Sequence, residues 1–409
     1  MNDLDAAISR THREEWARLV AVLTRRFGDL DIAEEAAAEA FITAVERWPV
    51  DGVPPNPGAW LTTTAGRKAI DRIRRENKRD DKHQEAAYMY DDSPPTPTGI
   101  IEDDRLRLIF TCCHPALAMQ TRMALTLRMV GGLTVPEIGR AFLVPPSTME
   151  QRITRAKAKI KANRIPYRVP AAEDLPSRIT GVLAVLFLVF NEGYLASGPD
   201  TDPLRPDLTA EAIRLTRLIR GLLPDDGEVA GLLALMLLIE ARRPARLSAT
   251  GELVAMNEQD RGAWDFTLVA EGHSLVRERL ASGQAPGRYQ LLAAINAVHT
   301  SARDVRNTDW SQVLALYNQL IRLDRSPVIA LNRAVAVAEL DGPEVALAEL
   351  NRLAEPLDGY HAYHATRADL LRRLGRSNES RQAYDRAIEL AGNTGEIAYL
   401  TRRRDQLGP

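Results

Sequence analysis

The side chains in this 409-residue chain that are suited to covalent or metal chemistry are few and poorly spaced for it. Cys112, Cys113 and His114 stand in succession and offer three soft donors, where a tetrahedral metal site takes four with loops between the pairs. These are the only two cysteines. A bridge between adjacent residues would be strained, and small buried residues of a helix are their expected role. His361 and His364 share a helical face without a third ligand nearby. No glycine-rich phosphate loop, zinc-protease box or nucleophile elbow occurs. The expectation is therefore no enzyme, no catalytic residue, no cofactor and no metal. What recurs at regular spacing are guanidinium, ammonium and amide groups, whose chemistry is recognition of phosphates and base edges.

All six lysines (Lys68, Lys78, Lys82, Lys157, Lys159 and Lys161) fall in two short segments. Residues 1–170 carry 26 Lys/Arg against 23 Asp/Glu and the remainder 27 against 32, so a near-neutral total conceals a basic N-terminal part and an acidic remainder. Clustered basic charge is the electrostatic footprint of nucleic-acid contact. The sharper cluster spans Leu133–Ile160. Thr134 with Glu137, and Ser147 with Glu150, both have capping-box spacing and predict helix starts 13 residues apart, joined by the turn Leu143-Val144-Pro145-Pro146. Val135, Ile138, Ala141 and Phe142 on the first helix and Met149, Ile153, Ala156 and Ile160 on the second form apolar faces. Such a pair is a helix-turn-helix, whose second helix enters the major groove by its N-terminal end. Ser147, Thr148, Gln151, Arg152 and Arg155 are the expected base-side contacts, since Arg and Gln pair bidentately with guanine and adenine edges. Lys157, Lys159 and Lys161 lie further along and suit phosphates, which fix register without reading sequence. The competing reading is a helical hairpin with a solvated basic face.

A second cationic helix is predicted from Asn56 to Arg79, with Asn56 as N-cap and Pro57 at the first helical position. Gly66, Ala69, Ile70 and Ile73 form its buried stripe. Lys68, Arg72, Arg75 and Arg79 recur on the far side, flanked by Arg67, Arg74 and Lys78. Trp60 opens this helix as either a core residue or a base-stacking one. Upstream, Asp31-Ile32-Ala33-Glu34-Glu35 starts a helix whose acidic first turn suits its dipole. Its apolar face is Ala33, Ala37, Phe41, Ala44, Val45 and Trp48, and its exposed acids suit a basic partner.

Helical periodicity runs through almost every segment and none alternates as a strand, which predicts an all-α chain. Stretches rich in proline, glycine and acid at Asp80–Asp104, Pro166–Pro176 and Ser282–Arg288 divide it into 1–80, an acidic flexible linker at 81–104, then 105–168, 175–285 and 289–405. In the last block Tyr317, Leu350 and Tyr384 are 33 and 34 residues apart, and Gly342 and Gly375 are 33 apart. Leu374-Gly375-Arg376 followed by Ser380, Tyr384 and Ala387 fits a tetratricopeptide helix pair, whose stacking leaves a concave groove for a partner protein. The longest apolar runs, Val182–Phe190 and Leu232–Ile239, are short of the roughly 18–20 residues that span a bilayer. Met1–Arg13 lacks the apolar core of a secretion signal. A cytoplasmic protein without membrane contact is expected.

Residues 10–165 together resemble the extracytoplasmic-function group of bacterial sigma factors, with both modules in the right order and an acidic linker between. Asp31 through Glu35 and Glu39-Ala40-Phe41 resemble the family's core-binding helix, which implies that Asp31, Glu34, Glu35, Glu39 and Phe41 meet the clamp helices of core RNA polymerase. Trp60-Leu61 through Arg75 resembles the helix that melts and reads the −10 element, which implies that role for Trp60, Arg67, Lys68, Arg72, Arg75, Lys78 and Arg79. Leu133 through Gly139 and on to Lys157 resembles the −35-reading helix-turn-helix, with Ser147, Thr148, Gln151, Arg152, Arg155, Lys157 and Lys159 on promoter DNA. The linker would thread through polymerase between the two. The implied fold is a region 2 helical bundle, a region 4 helix-turn-helix and a helical extension with tetratricopeptide-like repeats.

Three departures stand out. Ala38 replaces the usual Gln and Arg67 a frequent Asn. Leu143 replaces the turn Gly, at about 1–2 kcal/mol if that residue must be left-handed, unless Pro145-Pro146 rebuild the turn. Cys112-Cys113-His114-Pro115 and Phe190-Asn191-Glu192-Gly193-Tyr194 resemble the subgroup with long extensions, which implies an alternative sigma factor regulated by its extension in place of, or beside, a separate anti-sigma protein. The alternative is a one-component regulator, which accounts for 105–409 but leaves Asp31–Arg79 without a role.

Overall fold

The computed structural model describes residues 3–79, 104–141, 144–171, 173–196, 204–248 and 252–407. Every regular element among them is helical, with a single isolated bridge between Leu247 and Leu253. The expected linker lies almost wholly outside the described residues. The chain folds as two units, Met1–Val189 and Phe190–Pro409.

The first unit opens with α1 (Asp3–Phe27), α2 (Leu30–Asp51) and α3 (Pro57–Arg79). Helix α2 begins before the acidic run because Asp29 is its N-cap: its carboxylate accepts from the N–H groups of Asp31 at 2.8 Å and Ile32 at 3.2 Å. Its inner face is a ladder of small residues, Ala33, Ala36, Ala37, Ala40 and Ala44, which lets α1 and α3 approach closely. Phe41 and Trp48 are buried on the same face, Phe41 beside Trp16 of α1 and Trp48 beside Trp60 of α3. Val45, expected inside, is 53% exposed, because Ala44 and Trp48 already occupy the core side. Helix α3 is capped as expected, Asn56 Oδ1 accepting from Ala59 N at 3.0 Å. Its buried stripe lies nearer the N-terminus than expected. Leu61, Ala65, Gly66 and Ala69 are buried, and Ile70 and Ile73 are half-buried.

Four helices follow: α4 (Asp104–Cys112), α5 (Met119–Met129), α6 (Val135–Ala141) and α7 (Pro146–Ala162). Leu106, Leu108, Ile109 and Phe110 of α4 are fully buried with Leu125, Met129, Leu133 and Ile138. The first capping box forms. Thr134 N donates to Glu137 Oε2 at 2.7 Å, and Glu137 N to Thr134 Oγ1 at 3.4 Å. The second does not. Pro146 takes the first helical position and forces Pro145 into extended backbone (ψ 144°), so α7 starts one residue before Ser147 and has no side-chain cap. Met149, Ile153, Ala156 and Ile160 are buried, as their spacing predicted. Phe142 and Leu143 lie outside the described residues. Helix α8 (Leu175–Tyr194) carries the chain across the boundary between the units.

The second unit is organised around α10 (Gly227–Glu240), whose residues from Val229 to Leu238 are all buried. It is flanked by α9 (Pro206–Leu222), α11 (Phe266–Ala281) and α12 (Arg288–Ser301). A helix apolar all round, with no described helix long and apolar enough to cross a membrane, is the centre of a core. Antiparallel helices complete the chain: α13 (Trp310–Leu323), α14 (Pro327–Leu340), α15 (Pro343–Asn351), α16 (Ala354–Leu357), α17 (His361–Arg373), α18 (Ser377–Leu390) and α19 (Thr394–Asp405). The 33-residue spacing falls on turns that need left-handed backbone, Gly342 (φ 93°) before α15 and Gly375 (φ 72°) before α18. Leu350 and Tyr384 are buried one helix turn or more beyond them. Ser380 is fully buried and donates to Ala368 O at 2.8 Å, a small residue that lets α18 lie against α17.

Candidate nucleic-acid and polymerase interface

Helix α7 presents two faces with opposite fates. Ser147, Thr148, Gln151, Arg155 and Lys159 are exposed and Arg152 is half-buried, forming one continuous polar surface from the N-terminal end. Arg155 Nε donates to Gln151 O at 3.2 Å, and no described carboxylate pairs with it. The approach of the preceding turn to α6 depends on Gly139: a Cβ there would lie 3.0 Å from Val144 O and 3.5 Å from Pro146 Cα. A lone glycine inside a short helical pattern was the available signal for that contact.

Lys157 points the other way. Its Nζ lies 2.8 Å from Asp31 Oδ1 and against Glu34 Oε2. Lys161 Nζ sits 2.8 Å from Asp29 Oδ2, and Arg128 Nε 2.5 Å from Glu34 Oε1. Three cations of the helix-turn-helix part thus close on the acids at the start of α2. The seam continues along α1. Trp16 Nε1 donates to Arg128 O at 3.1 Å, and the Arg128 guanidinium stacks 5.6 Å from the Trp16 ring centroid. Gly132, at φ 67°, lets the loop before α6 touch the same indole; a Cβ there would lie 3.1 Å from Trp16 Cδ1. The Tyr167 hydroxyl is within hydrogen-bonding distance of Ala21 O (2.9 Å) and Asp104 O (3.0 Å). Burial pushes the Asp29 carboxyl upward, but the Lys161 ammonium and the N–H groups of Ile32 and Asp31 outweigh it and hold the pKa below the ordinary aspartate value.

On α3 the expected −10 residues divide as well. Arg67, Arg74 and Arg75 are exposed, whereas Lys68 Nζ lies 3.8 Å from Glu39 Oε2 and Arg72 pairs with Glu35. The side chains of Lys78 and Arg79 lie outside the described residues. Trp60 is half-buried, edge-on to Trp48 with ring centroids 5.6 Å apart. Of the expected polymerase contacts, Asp31 is exposed and Glu35 and Glu39 are half-buried. Glu34 and Phe41 are each only 7% exposed, Phe41 packing on His12 at 4.8 Å and Trp16 at 6.1 Å. In this arrangement neither is presented to a partner. Ile42 (58% exposed) and Val50 (84%), which no sequence motif singled out, join Val45 as exposed apolar side chains of α2, beside Glu46 and Arg47.

Cys112 and Cys113 are buried, and burial pushes both thiols up, Cys113 to about 11, so neither has thiolate character at neutral pH. Among the described residues no group of three His, Cys, Asp or Glu is arranged to hold a metal.

Residues 13–79 match the family model for sigma-70 region 2 and residues 107–160 that for sigma-70 region 4. Those two modules in that order define a sigma factor, which directs RNA polymerase to promoters. The chain belongs to the extracytoplasmic-function group of these factors and carries a long helical extension behind region 4. Residues 178–280 match a family of unknown function (DUF6596). An uncharacterized protein, R00370, of Rhizobium meliloti (strain 1021) is 43% identical over 401 residues, 95% of this chain and 93% of its own length. The probable ECF RNA polymerase sigma factor SigI of Mycobacterium tuberculosis is 29% identical over 42% of this chain, and 59% of its length is spanned. The ECF RNA polymerase sigma factor SigK of Mycobacterium ulcerans is 27% identical over 38% of the chain and 89% of its length. No solved structure matches. Sigma factor families bind core polymerase and promoter DNA and are not enzymes. The region 2 match gives Asp31–Arg79 the role that a stand-alone regulator would leave vacant.

Proposed function

We propose that the exposed face of α7 reads the −35 element, that Arg67, Arg74 and Arg75 of α3 serve the −10 element, and that polymerase docks on the outer side of α2. We further propose that the arrangement of the first unit is the closed form of the factor, and that the acidic extension, with a regulatory protein at its repeats, governs opening. The single observation behind this is the ion-pair seam: Lys157, Lys161 and Arg128 occupy the acids at the head of α2. Exposed pairs contribute little. The Arg128–Glu34–Lys157 group is different, since its side chains are only 19%, 10% and 10% exposed. Separating these charges without new partners is costly, so opening requires a partner that replaces them, and the clamp of polymerase is such a partner.

The test uses the full chain with purified core polymerase, reading core binding and run-off initiation in parallel. Arg155→Glu is expected to abolish promoter-specific initiation while core binding stays within twofold. Loss of core binding in that variant would contradict the division of labour between α7 and α2.

A further inference from the structure

The second unit buries positive charge that no described carboxylate of it pairs with. Arg242, directly after α10, is 7% exposed. Its Nη1 rests on Met256 Sδ, its Nη2 donates to Asn296 Oδ1 at 3.2 Å, and its Nε is buried without an acceptor. Arg246, 6% exposed, stacks 3.4 Å from the Tyr194 ring centroid and donates to Tyr194 O. Arg261 caps the C-terminal end of α12, its Nη1 donating to His299 O at 2.6 Å and Ala302 O at 2.7 Å. Its Nη2 is buried and unpaired, and its guanidinium lies 4.8 Å from the Trp264 ring centroid. Every acceptor named is neutral.

The surrounding side chains repeat the pattern. Trp264 Nε1, His299 Nδ1 and Thr308 Oγ1 are also buried with no partner. Arg242, Arg261, Trp264, His299 and Trp310 form one connected group, and Thr308 O accepts from Trp310 N at 2.9 Å. Arg242 reaches Asn296, one turn before His299 on α12; Arg261 holds the His299 carbonyl; and the His299 ring lies edge-on to Trp310 at 5.3 Å. Burial lowers the basicity of Arg246, Arg261 and His299 most, and the charge of Arg242 lowers each further.

A guanidinium cannot shed its proton in a protein, so these are fixed charges. No described carboxylate lies within 4 Å of any of the three. The acids that act on them from further away are committed elsewhere. Glu240 pairs with Arg243 at 2.5 Å and Glu396 with His361 at 3.1 Å. Asp304 accepts from the N–H groups of Arg306 and Asn307 at 2.7 and 3.2 Å. Helix capping accounts for one nitrogen of Arg261. It leaves Arg242 without an explanation.

We propose that this cluster is a binding site for a compact oxyanion, a carboxylate or phosphate group of a small molecule, held by Arg242 and Arg261 with Trp264 and Thr308 as additional donors. Such a group supplies the missing counter-charge and several acceptor lone pairs at once, in the geometry guanidinium forks favour. This site does not depend on the promoter assignment above.

Thermal unfolding of the full chain at constant ionic strength tests it, with sodium chloride replaced stepwise by inorganic phosphate in one arm and by acetate in the other. The expected result is a saturable rise in unfolding temperature of roughly 5–10 °C at a hundredfold excess over Kd in one arm, which also tells phosphate from carboxylate. Arg242→Met keeps the bulk and removes the charge. It is expected to lose that response while unfolding no earlier than the anion-free wild type, which separates this site from the basic face of α7. Arg242→Lys, keeping the charge but not the fork, should bind about tenfold more weakly. No saturable response of the wild-type chain to either anion would overturn the proposal, as would an undiminished response in Arg242→Met.

Discussion

The Lys157 ammonium lies 2.8 Å from the Asp31 carboxylate although 126 residues separate them in sequence. Only two positions back on the same helix, Arg155 is exposed to solvent. One turn of α7 therefore divides a solvent-exposed basic surface from one paired within the chain, and the seam between the two modules is built from charges of both.

Arg128 is the seam residue best suited to test this, because it belongs to neither proposed binding face. Replacing it with Met removes its pairing with Glu34, its donation to Leu133 O at 2.8 Å and its stacking on Trp16. If the closed form limits polymerase capture, the apparent affinity is reduced by the fraction of open molecules. Loosening the seam by about 1.4–3 kcal/mol should then raise core affinity roughly 10- to 100-fold. Fluorescence anisotropy with labelled core polymerase measures it, and an unchanged or weaker affinity would sink the closed-form reading.

Gly132 and Gly28 form a matched pair of probes. Both have left-handed backbone, φ 67° and 69°, so alanine at either carries a conformational cost of about 1–2 kcal/mol. A Cβ at Gly28 meets nothing within 4 Å, whereas one at Gly132 presses on Trp16 and His12 at 3.1–3.2 Å. Gly132→Ala is therefore expected to destabilise the first unit more than Gly28→Ala in urea unfolding. Equal losses would show that the loop before α6 is free of α1.

Asp29 makes the seam sensitive to acid. Its folded pKa is depressed, so its contribution is present above the unfolded value near 3.8 and disappears as pH falls through the lower folded value. Asn is an equally good N-cap, so Asp29→Asn removes the charge and keeps the helix start. The wild type should be more stable than the variant at pH 7, with the difference shrinking as pH falls below about 3.8 and vanishing only below the lower folded value. A difference that persists in stronger acid would assign the effect to packing.

The helical class, the buried stripe of α7 and the order of the two modules were legible because each follows from local spacing and capping chemistry. The start of α7 was misplaced by two residues, Pro145 rather than Ser147 being the N-cap, because a proline at the first helical position overrode the capping box of Ser147 and Glu150. Lys157 was read as a phosphate contact because periodicity separates polar from apolar faces and does not say what a polar face will meet. Glu34 was hidden for the same reason: a long-range partner decides its exposure, and no local pattern encodes it. The burial of Phe41 did follow from the apolar face of α2, and only the resemblance had turned it toward polymerase. The unpaired arginines of the second unit gave no signal, since an arginine's counter-charge is a property of the folded interior.

His299 provides a pH test confined to the second unit. Burial, then the charges of Arg242 and Arg261, lower its pKa from 6.5 to about 4. Between those values the unfolded chain binds a proton that the folded chain refuses, so stability falls as pH drops from about 6.5 to about 4. Each pKa unit corresponds to about 1.4 kcal/mol, so His299 should account for a loss of about 3 kcal/mol across that window. His299→Gln, which cannot take up a proton, should flatten the pH dependence of urea unfolding in the window while lowering stability at pH 7. An occupying anion would offset the repulsion from Arg242 and Arg261, raise the folded pKa and shallow the wild-type slope. A wild-type slope identical to that of the Gln variant would show that the ring is accessible to protons in the folded chain, and would place it outside the electrostatic reach of Arg242.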